Sequence, residues 1–137
     1  IANLPSDHAL SELEIITPEA NGKESLVSLY SEHPTTVQLD RAFFGRHVRW
    51  DPVVQSRLFA TCCEIVASGG GIAIVDPMTA ARYAGENLVV RRFEPQIIFE
   101  FAITLPGDGP YSRLTKEFVA RLKSEMQPFV LTPNEKS

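Results

Sequence analysis

The segment 56–61 carries the residue types best suited to binding an anion. Arg57 is permanently charged, Thr61 carries a hydroxyl, and an apolar helix pattern begins at Ala60. The first N–H groups of a helix have no partner within it, and the helix dipole makes that end positive. We therefore expect a carboxylate site formed by Arg57, Phe59, Ala60 and Thr61. The alternative is that Thr61 only caps or begins the helix, and that Arg57 pairs with an acid elsewhere.

Three adjacent glycines, Gly69 to Gly71, follow this helix pattern and raise the question of a phosphate loop. Phosphate loops run from a strand through glycines into a helix, because the helix N-terminus must face the phosphate. Here the order is helix, glycines and then an apolar strand pattern at 72–75, and neither GxGxxG nor GK[ST] occurs. A glycine after a helix is typical of a left-handed C-terminal cap. The glycines are therefore predicted to form a turn.

Side chains that often catalyse reactions or bind metals are present but isolated. Cys62 and Cys63 are the only cysteines, and His8, His33 and His47 have no companion at metal-ligand spacing. Adjacent cysteines rarely bridge each other, which indicates a reducing compartment, and in an apolar helix they favour small buried side chains over nucleophiles. No GxSxG motif occurs. The sequence therefore predicts no catalytic residue, no metal site and no cofactor.

Composition limits the classes of partner. The chain has 137 residues, 44% of them hydrophobic, which fits one compact domain or a large part of a bigger one. The formal net charge is −4 and the sequence pI is about 5.4, which argues against nucleic-acid binding through this surface. No run approaches the roughly 20 apolar residues of a membrane helix. A cytoplasmic protein without membrane contact is the expectation.

The elements that must position the candidate residues alternate in type along the chain. Strands are predicted at 25–30, 51–56, 72–75, 88–93 and 96–105. One helix is predicted with Thr35 or Thr36 as its N-cap and Gly45 just past its end. Further helices are predicted at 60–68, from Asp76 as cap to near Gly85, and at 111–126. This alternation predicts parallel pairing with right-handed crossovers, hence an α/β fold. Ligands bind at the carboxyl ends of such strands, so the loops 30–36, 56–61 and 76–79 are candidates.

The last predicted helix has an apolar stripe that needs a covering partner. Leu114, Phe118, Leu122 and Met126 repeat every four residues, as they would on one helix face. A turn is predicted at 106–110 and a disordered tail at 132–137.

Three segments in this order resemble LysR-type transcriptional regulators. "LPSDHALSE" resembles the family's "lPxxHpLa" segment, and "EIVASGGGIAIVDP" resembles its "lVaaGlGiAllP" segment. "NLVVRRFEPQIIFEFAITLPGDGPYSRLTKEFVARLKSEM" is similar to its closing strand, loop and C-terminal helix. The resemblance covers about residues 1 to 126. "AIVDPMTA" and "RLFATCCEIVASGGG" resemble members that sense opines or basic amino acids.

The resemblance implies an effector-binding module with the periplasmic-binding-protein-like (type 2) two-lobe fold, here one complete lobe and part of the other. Residues 1–10 would be the end of the first lobe and a crossover, and 11–94 the second lobe. Residues 95–137 would be the return crossover and the C-terminal helix of the first lobe. A small-molecule effector would bind in the cleft between the lobes.

The resemblance also implies the positions of the effector contacts. One group follows the first strand of the second lobe and comprises Ser28, Tyr30, Ser31 and Glu32. The other is the 57–61 group already predicted from helix polarity. The resemblance to opine and amino-acid sensors implies a carboxylate-bearing effector, held by Arg57 or the free N–H groups, with Glu32 taking a cationic end.

Partners and function follow from the same resemblance. The full-length protein would be a homodimer or tetramer, and DNA would be bound only by an N-terminal winged helix-turn-helix that this sequence does not contain. The alternative function is a periplasmic solute-binding protein of a transport system, which shares the fold. A small α/β enzyme is the third class, which the lack of a catalytic constellation disfavours.

Overall fold

A computed structural model describes residues 1–107 and 110–129. The chain forms two compact units, the first comprising Ile1–Phe99 and the second beginning at Glu100. Part of the predicted turn at 106–110 and all of the predicted tail at 132–137 lie outside the described residues.

The first unit is built on a six-stranded sheet. Its strands are β1 (Ala2–Pro5), β2 (Ile15–Ile16), β3 (Leu26–Leu29), β4 (Val54–Ser56), β5 (Ile72–Ile74) and β6 (Leu88–Phe93). They lie in the order β2-β6-β1-β5-β3-β4. β3 pairs in parallel with β4 and β5, and β2 with β6, whereas β1 runs antiparallel to both β5 and β6. The sheet is therefore mixed: the expected parallel pairing is found among β3, β4 and β5, whereas β1, which was not predicted as a strand, is antiparallel to its neighbours.

Within the described residues, four helices belong to the first unit and one to the second. They are α1 (Pro18–Asn21), α2 (Pro34–Phe44), α3 (Phe59–Ala67), α4 (Pro77–Tyr83) and α5 (Arg113–Met126), with short 3-10 turns at Ala9–Glu12 and Gln127–Phe129. Proline stands at the start of α1, α2 and α4, where its missing N–H costs no hydrogen bond and its fixed φ suits the helix. The mixture of helices and strands confirms the α/β fold class.

The core of the first unit lies on both faces of the sheet. Along β5, Ile72 and Ile74 join one apolar cluster with the α2 residues Leu39 and Phe43. Alternate side chains of a strand point to opposite faces, so Ala73 joins a second cluster beneath α3 and α4. The continuous apolar run at 72–75 is explained by this burial on both faces.

The glycine turn after α3 agrees with its prediction. Gly69 has φ +81° and Gly71 has φ +124°, both in the region that favours glycine. The chain thus leaves α3 through a left-handed turn and enters β5.

Two predicted features differ in the structure. His33 caps α2, not Thr35 or Thr36, because its ring Nδ1 accepts the N–H of Thr35 at 3.2 Å, although Gly45 does end the helix. The alternating segment 96–105 forms no strand, and within the described ranges it pairs with no other strand. An extended segment needs a paired neighbour to satisfy its backbone groups, and alternation alone does not supply one.

Candidate ligand-binding site

Two of the predicted ligand loops begin side by side at one edge of the sheet. β3 and β4 are parallel, with Leu29 opposite Ser56, so both strands end at the same level. Immediately beyond them, the N–H of Tyr30 donates to the carbonyl of Ser56 at 2.9 Å. The structure therefore brings the 30–36 loop next to the 56–61 loop, as expected for carboxyl ends of adjacent parallel strands.

The N-terminus of α3 has no side-chain cap. Its N-cap residue is Leu58, in extended conformation (φ −128°, ψ 134°), and no side chain accepts from the first turn. The hydroxyl of Ser56 bonds only to Leu58 itself, accepting its N–H at 3.3 Å. Thr61 lies in the first turn of α3, so it begins the helix, as the alternative expected, but does not cap it. The first amides of α3 remain available to an anion.

Arg57 stands beside this helix start. Its guanidinium carbon lies 6.0 Å from the centre of the Tyr30 ring, which is within cation–π range. No carboxylate lies within 4.0 Å of Arg57 in the part of the chain that the structure describes. The other part of the alternative, an ion pair elsewhere, is therefore not observed.

A row of aromatic rings lines the same edge. Tyr30 and His33 meet edge to face with centroids 5.6 Å apart, and His33 meets Phe59 in the same way at 5.8 Å. Phe59 in turn meets Phe99 at 5.7 Å. We call Tyr30, His33, Phe59 and Phe99 the aromatic row. It joins the loop after β3 to the first residue of α3.

The remaining predicted contacts lie in different environments. Ser28 is buried within β3, and its hydroxyl lies 3.5 Å from the hydroxyl of Thr36. Ser31 and Glu32 are exposed at the start of the loop, and Ala60 is partly buried in the first turn of α3. Tyr30 thus lies beside Arg57 and is linked to Phe59 through His33, whereas Ser28 is buried in β3.

The third predicted ligand loop is already occupied by its own cap. Asp76, at the start of α4, accepts the N–H of Thr79 at 2.9 Å, and its second oxygen accepts the hydroxyl of Thr79. This N-terminus is therefore neutralised by a carboxylate from the chain itself. Among the described helices that follow β4 and β5, only α3 presents an uncapped start.

The two cysteines are packed in the interior, as predicted. Cys62 and Cys63 are unbridged and lie on the buried face of α3. Burial raises the pKa of the Cys62 thiol to about 11, and burial likewise raises the pKa of the Cys63 thiol. A thiol that stays protonated is a poor nucleophile, so neither cysteine has the character of a catalytic residue.

Sequence reasoning assigned no specific role to His33, which the structure places in the aromatic row. A lone histidine in a polar loop gives no sign of its contacts. The available signal was the His-Pro pair at the start of the α2 pattern, since proline at the first helical position places the preceding residue at the N-cap.

The described residues form no metal-ligating group and no membrane-spanning helix, and one groove lies along α5. No group of three or more metal-ligating side chains occurs among residues 1–107 and 110–129. In the same ranges no helix combines the length and apolarity needed to cross a membrane. A groove of about 290 Å³ lies along α5, lined by Leu105, Tyr111, Thr115, Lys116, Val119, Ala120 and Lys123. It is an uncovered packing face without convergent polar groups, so we place the candidate site at α3.

Comparisons with known proteins give a consistent family. Residues 2–127 match the family model of the LysR substrate binding domain. The chain is 35% identical over 119 residues to the regulatory protein NocR of Agrobacterium tumefaciens (strain T37), covering 87% of this chain and 40% of that protein. It is 32% identical over 127 residues to the transcriptional activator protein LysR of Escherichia coli (strain K12), covering 93% and 41%. The chain thus spans about two fifths of the length of these relatives.

Solved structures of regulators share the fold. The regulatory domain of CcmR from Synechocystis PCC6803, in complex with 2-PG, matches with a TM-score of 0.66 at 14% identity, over 100% of this chain and 64% of that one. HinK, a LysR family regulator from Pseudomonas aeruginosa, matches with a TM-score of 0.58 at 16% identity, over 70% and 33%. At these identities the likeness establishes the fold alone, which is the type 2 periplasmic-binding-protein-like fold.

Proposed function

This chain belongs to the LysR substrate-binding domain family, and from that membership we propose that it binds a small carboxylate-bearing effector at the start of α3. The observation that carries the proposal is the uncapped N-terminus of α3 beside Arg57. In the described part of the chain Arg57 forms no ion pair with a carboxylate. The amides supply directed donors and the guanidinium supplies charge, the two features that a carboxylate requires.

The other contacts complete this effector site. Tyr30 and Phe59 provide apolar surface beside the anion, and Ser31 and Glu32 lie on the loop that begins next to Arg57. Glu32 carries the charge needed to hold a cationic end, which favours an amino acid or an opine. Ser28 supports the loop from beneath through Thr36, and Ala60 and Thr61 contribute first-turn amides.

The function of the whole protein is proposed as effector-controlled transcription. The chain spans about two fifths of its curated relatives, so an N-terminal winged helix-turn-helix would bind DNA and this module would sense the effector. Effector binding would favour one arrangement of a homodimer or tetramer in the cytoplasm, which is a shift of populations between states. We propose the lobe boundaries given by the resemblance, with 1–10 and 95–137 belonging to the first lobe and 11–94 forming the second.

Isothermal titration tests the carboxylate site. L-arginine, L-lysine, L-glutamate and succinate would be titrated into the wild-type chain and into Arg57→Ala. We expect Arg57→Ala to weaken binding of the tightest probe roughly tenfold or more, because it removes a hydrogen bond to a charged group.

Arg49→Ala is the matched control. Arg49 lies before β4, whereas Arg57 lies after it. The guanidinium of Arg49 forms an exposed ion pair with Asp51 at 3.2 Å. Affinity should stay unchanged in this variant. An Arg57→Ala variant that binds as tightly as wild type would refute the assigned role of Arg57.

A further inference from the structure

We propose that His33 is an effector-contacting residue that donates a hydrogen bond from Nε2–H to the effector's carboxylate. The inference rests on the proposed function and adds to it a donor that lies on a different element from α3. It also assigns His33 a second role besides the helix cap.

The helix cap fixes which ring nitrogen carries the proton. Nδ1 of His33 accepts the backbone N–H of Thr35 at 3.2 Å, so it must present a lone pair. In the neutral imidazole the hydrogen is then on Nε2, which becomes a donor. His8 provides a parallel within this chain, since its Nδ1 accepts the N–H of Leu10 and its Nε2 faces the carboxylate of Glu24 at 3.2 Å.

His8 and His33 therefore differ in one respect. Both cap a helical turn through Nδ1, but the Nε2 of His8 has a carboxylate partner and the Nε2 of His33 has none in the described part of the chain. The Glu24 carboxylate shows which chemistry this ring arrangement accepts. An effector carboxylate would supply at His33 what Glu24 supplies at His8.

Neighbouring rings hold the donor in place. Tyr30 packs against His33 with an interplanar angle of 84°, and Phe59 packs against it at 79°. The cap and these two rings together fix the plane of the imidazole, so little rotational freedom is lost when a ligand binds. His33 is only partly buried, which leaves the ring accessible.

The position of Phe59 connects this donor to the proposed anion site. Phe59 is the first residue of α3, so its backbone N–H belongs to the uncapped turn while its ring touches His33. The Phe59 ring therefore links His33 to the residue that begins the uncapped turn, and we infer that one carboxylate reaches both the α3 amides and the His33 donor. We infer an effector whose carboxylate adjoins an apolar or planar body.

Two substitutions separate the cap from the donor. His33→Asn keeps an oxygen at the position of Nδ1, and asparagine is among the strongest N-cap residues, but it lacks the distal donor. His33→Gln places an amide N–H₂ at about the position of Nε2 but is a weaker cap. The stability of the two variants should therefore depend on how well residue 33 caps α2. Their carboxylate affinity should depend on whether residue 33 carries a distal N–H donor.

Titration with the tightest-binding of the four probes named above tests the proposal. We expect His33→Asn to weaken binding roughly ten- to a hundredfold while keeping the wild-type unfolding midpoint. His33→Gln should recover part of that affinity despite a lower midpoint. His8→Asn is the control, since its ring already has a partner, and it should leave probe affinity unchanged.

Three results would overturn the proposal, and they separate it from the proposed function. If Arg57→Ala loses affinity and His33→Asn does not, the carboxylate site stands and the assignment of His33 falls. If nitrogen NMR of the free chain finds the ring proton on Nδ1, the assignment falls whatever the probes do. If no probe binds the wild-type chain, both proposals fall.

Discussion

Two glycines in one turn, Gly69 and Gly71, both have a positive φ but differ in their surroundings. Around Gly69 there is open space where a Cβ would stand. A Cβ on Gly71 would overlap the carbonyl oxygen of Ser25, and that oxygen also accepts the N–H of Ile72 at 2.8 Å. Gly69 is therefore required only for its φ, whereas Gly71 is required for its φ and for the close approach of β3 to β5.

This difference predicts unequal costs for the same substitution. Gly69→Ala should lower the free energy of unfolding by about 1 kcal/mol, the cost of a left-handed alanine. Gly71→Ala should lower it by roughly 2 to 5 kcal/mol, because it adds steric strain and disrupts a backbone hydrogen bond. Urea denaturation measures both, and equal losses would contradict the contact with Ser25.

A buried thiol predicts a pH dependence. Cys62 would release its proton near its ordinary pKa of 9.0 in the unfolded chain, whereas burial holds the pKa at about 11 in the folded chain. The contribution of the Cys62 thiol to the free energy of unfolding is complete below pH 9 and is lost as the pH rises toward 11. The reason is that the unfolded chain then binds fewer protons than the folded one. Urea denaturation in reductant at about pH 8 and about pH 10.5 should show a smaller decrease for Cys62→Ala than for wild type. Identical decreases would count against a buried, protonated Cys62.

The role of a single residue was predictable where its residue type and its immediate sequence neighbours favour one structural role. The glycine turn followed from chain order, and the burial of Cys62 and Cys63 followed from their apolar neighbours. The cap at His33 did not, because it depends on a ring nitrogen meeting a backbone amide two residues on. Which glycine approaches another strand also depends on Ser25, distant in sequence, and no local pattern records that.

The helices of the first unit differ in how their first turns are satisfied. α2 is capped by His33 and α4 by Asp76, whereas α3 follows Leu58, whose side chain cannot cap. Leucine at an N-cap stabilises a helix less than serine or asparagine would. The Leu58 side chain is 63% exposed, so packing does not explain its presence at this position. An uncapped first turn is what an anion site at α3 requires.

Capping α3 should therefore trade ligand affinity for stability. Leu58→Ser offers a hydroxyl to the first-turn amides and should be about 1 kcal/mol more stable than Leu58→Ala. The same hydroxyl would compete with a carboxylate, so titration with the tightest probe should show several-fold weaker binding to Leu58→Ser than to Leu58→Ala. A serine variant that gains stability and keeps full affinity would place the anion elsewhere.

The type of an element was predictable where its apolar periodicity agreed with the residues that bound it. β5, β6 and α4 formed within a residue or two of their expected bounds, since their apolar runs are bounded by glycine, Asp-Pro or polar loops. The segment 96–105 alternates equally well, yet Phe101 remains 52% exposed and unpaired with any described strand. Alternation indicates a chain able to pair, and pairing itself depends on a neighbour.

The buried core belongs to residues 1–99. Two apolar clusters cover the two faces of the six-stranded sheet. Within the described part of the second unit, α5 contains no buried residue and carries i,i+4 ion pairs, Arg113 with Glu117 and Arg121 with Glu125. Such exposed pairs stabilise a helix by only about 0.3 to 0.5 kcal/mol each. Packing in the first unit therefore supplies most of the stability.

Two phenylalanines test this distribution. Phe43 is fully buried between Trp50 and Phe93, and Phe43→Ala should cost about 3 to 5 kcal/mol of unfolding free energy. Phe118 on α5 is 66% exposed, and Phe118→Ala should stay within about 0.5 kcal/mol of wild type. Chemical denaturation followed by Trp50 fluorescence measures both. A large loss in Phe118→Ala would mean that α5 packs more tightly than described.

The fold class was predictable, but the order of the strands was not. Alternating helix and strand patterns indicate an α/β sheet whatever their connections. The antiparallel β1 was not assigned from its residues, because Ala2 to Pro5 is short and its register with β5 and β6 depends on residues far along the chain.

The central place of β1 has a consequence for synthesis on the ribosome. Ala2 lies opposite Ile74 on one side and Arg91 on the other. β1 therefore cannot complete its pairing until β5 and β6, which come much later in the sequence, have been synthesised. β3 and β4 can pair while the chain is still growing, but the two halves of the sheet join only after β6 has emerged. Because such distant pairing is slow, the nascent chain keeps the edge of β1 that will face β6 unpaired until then.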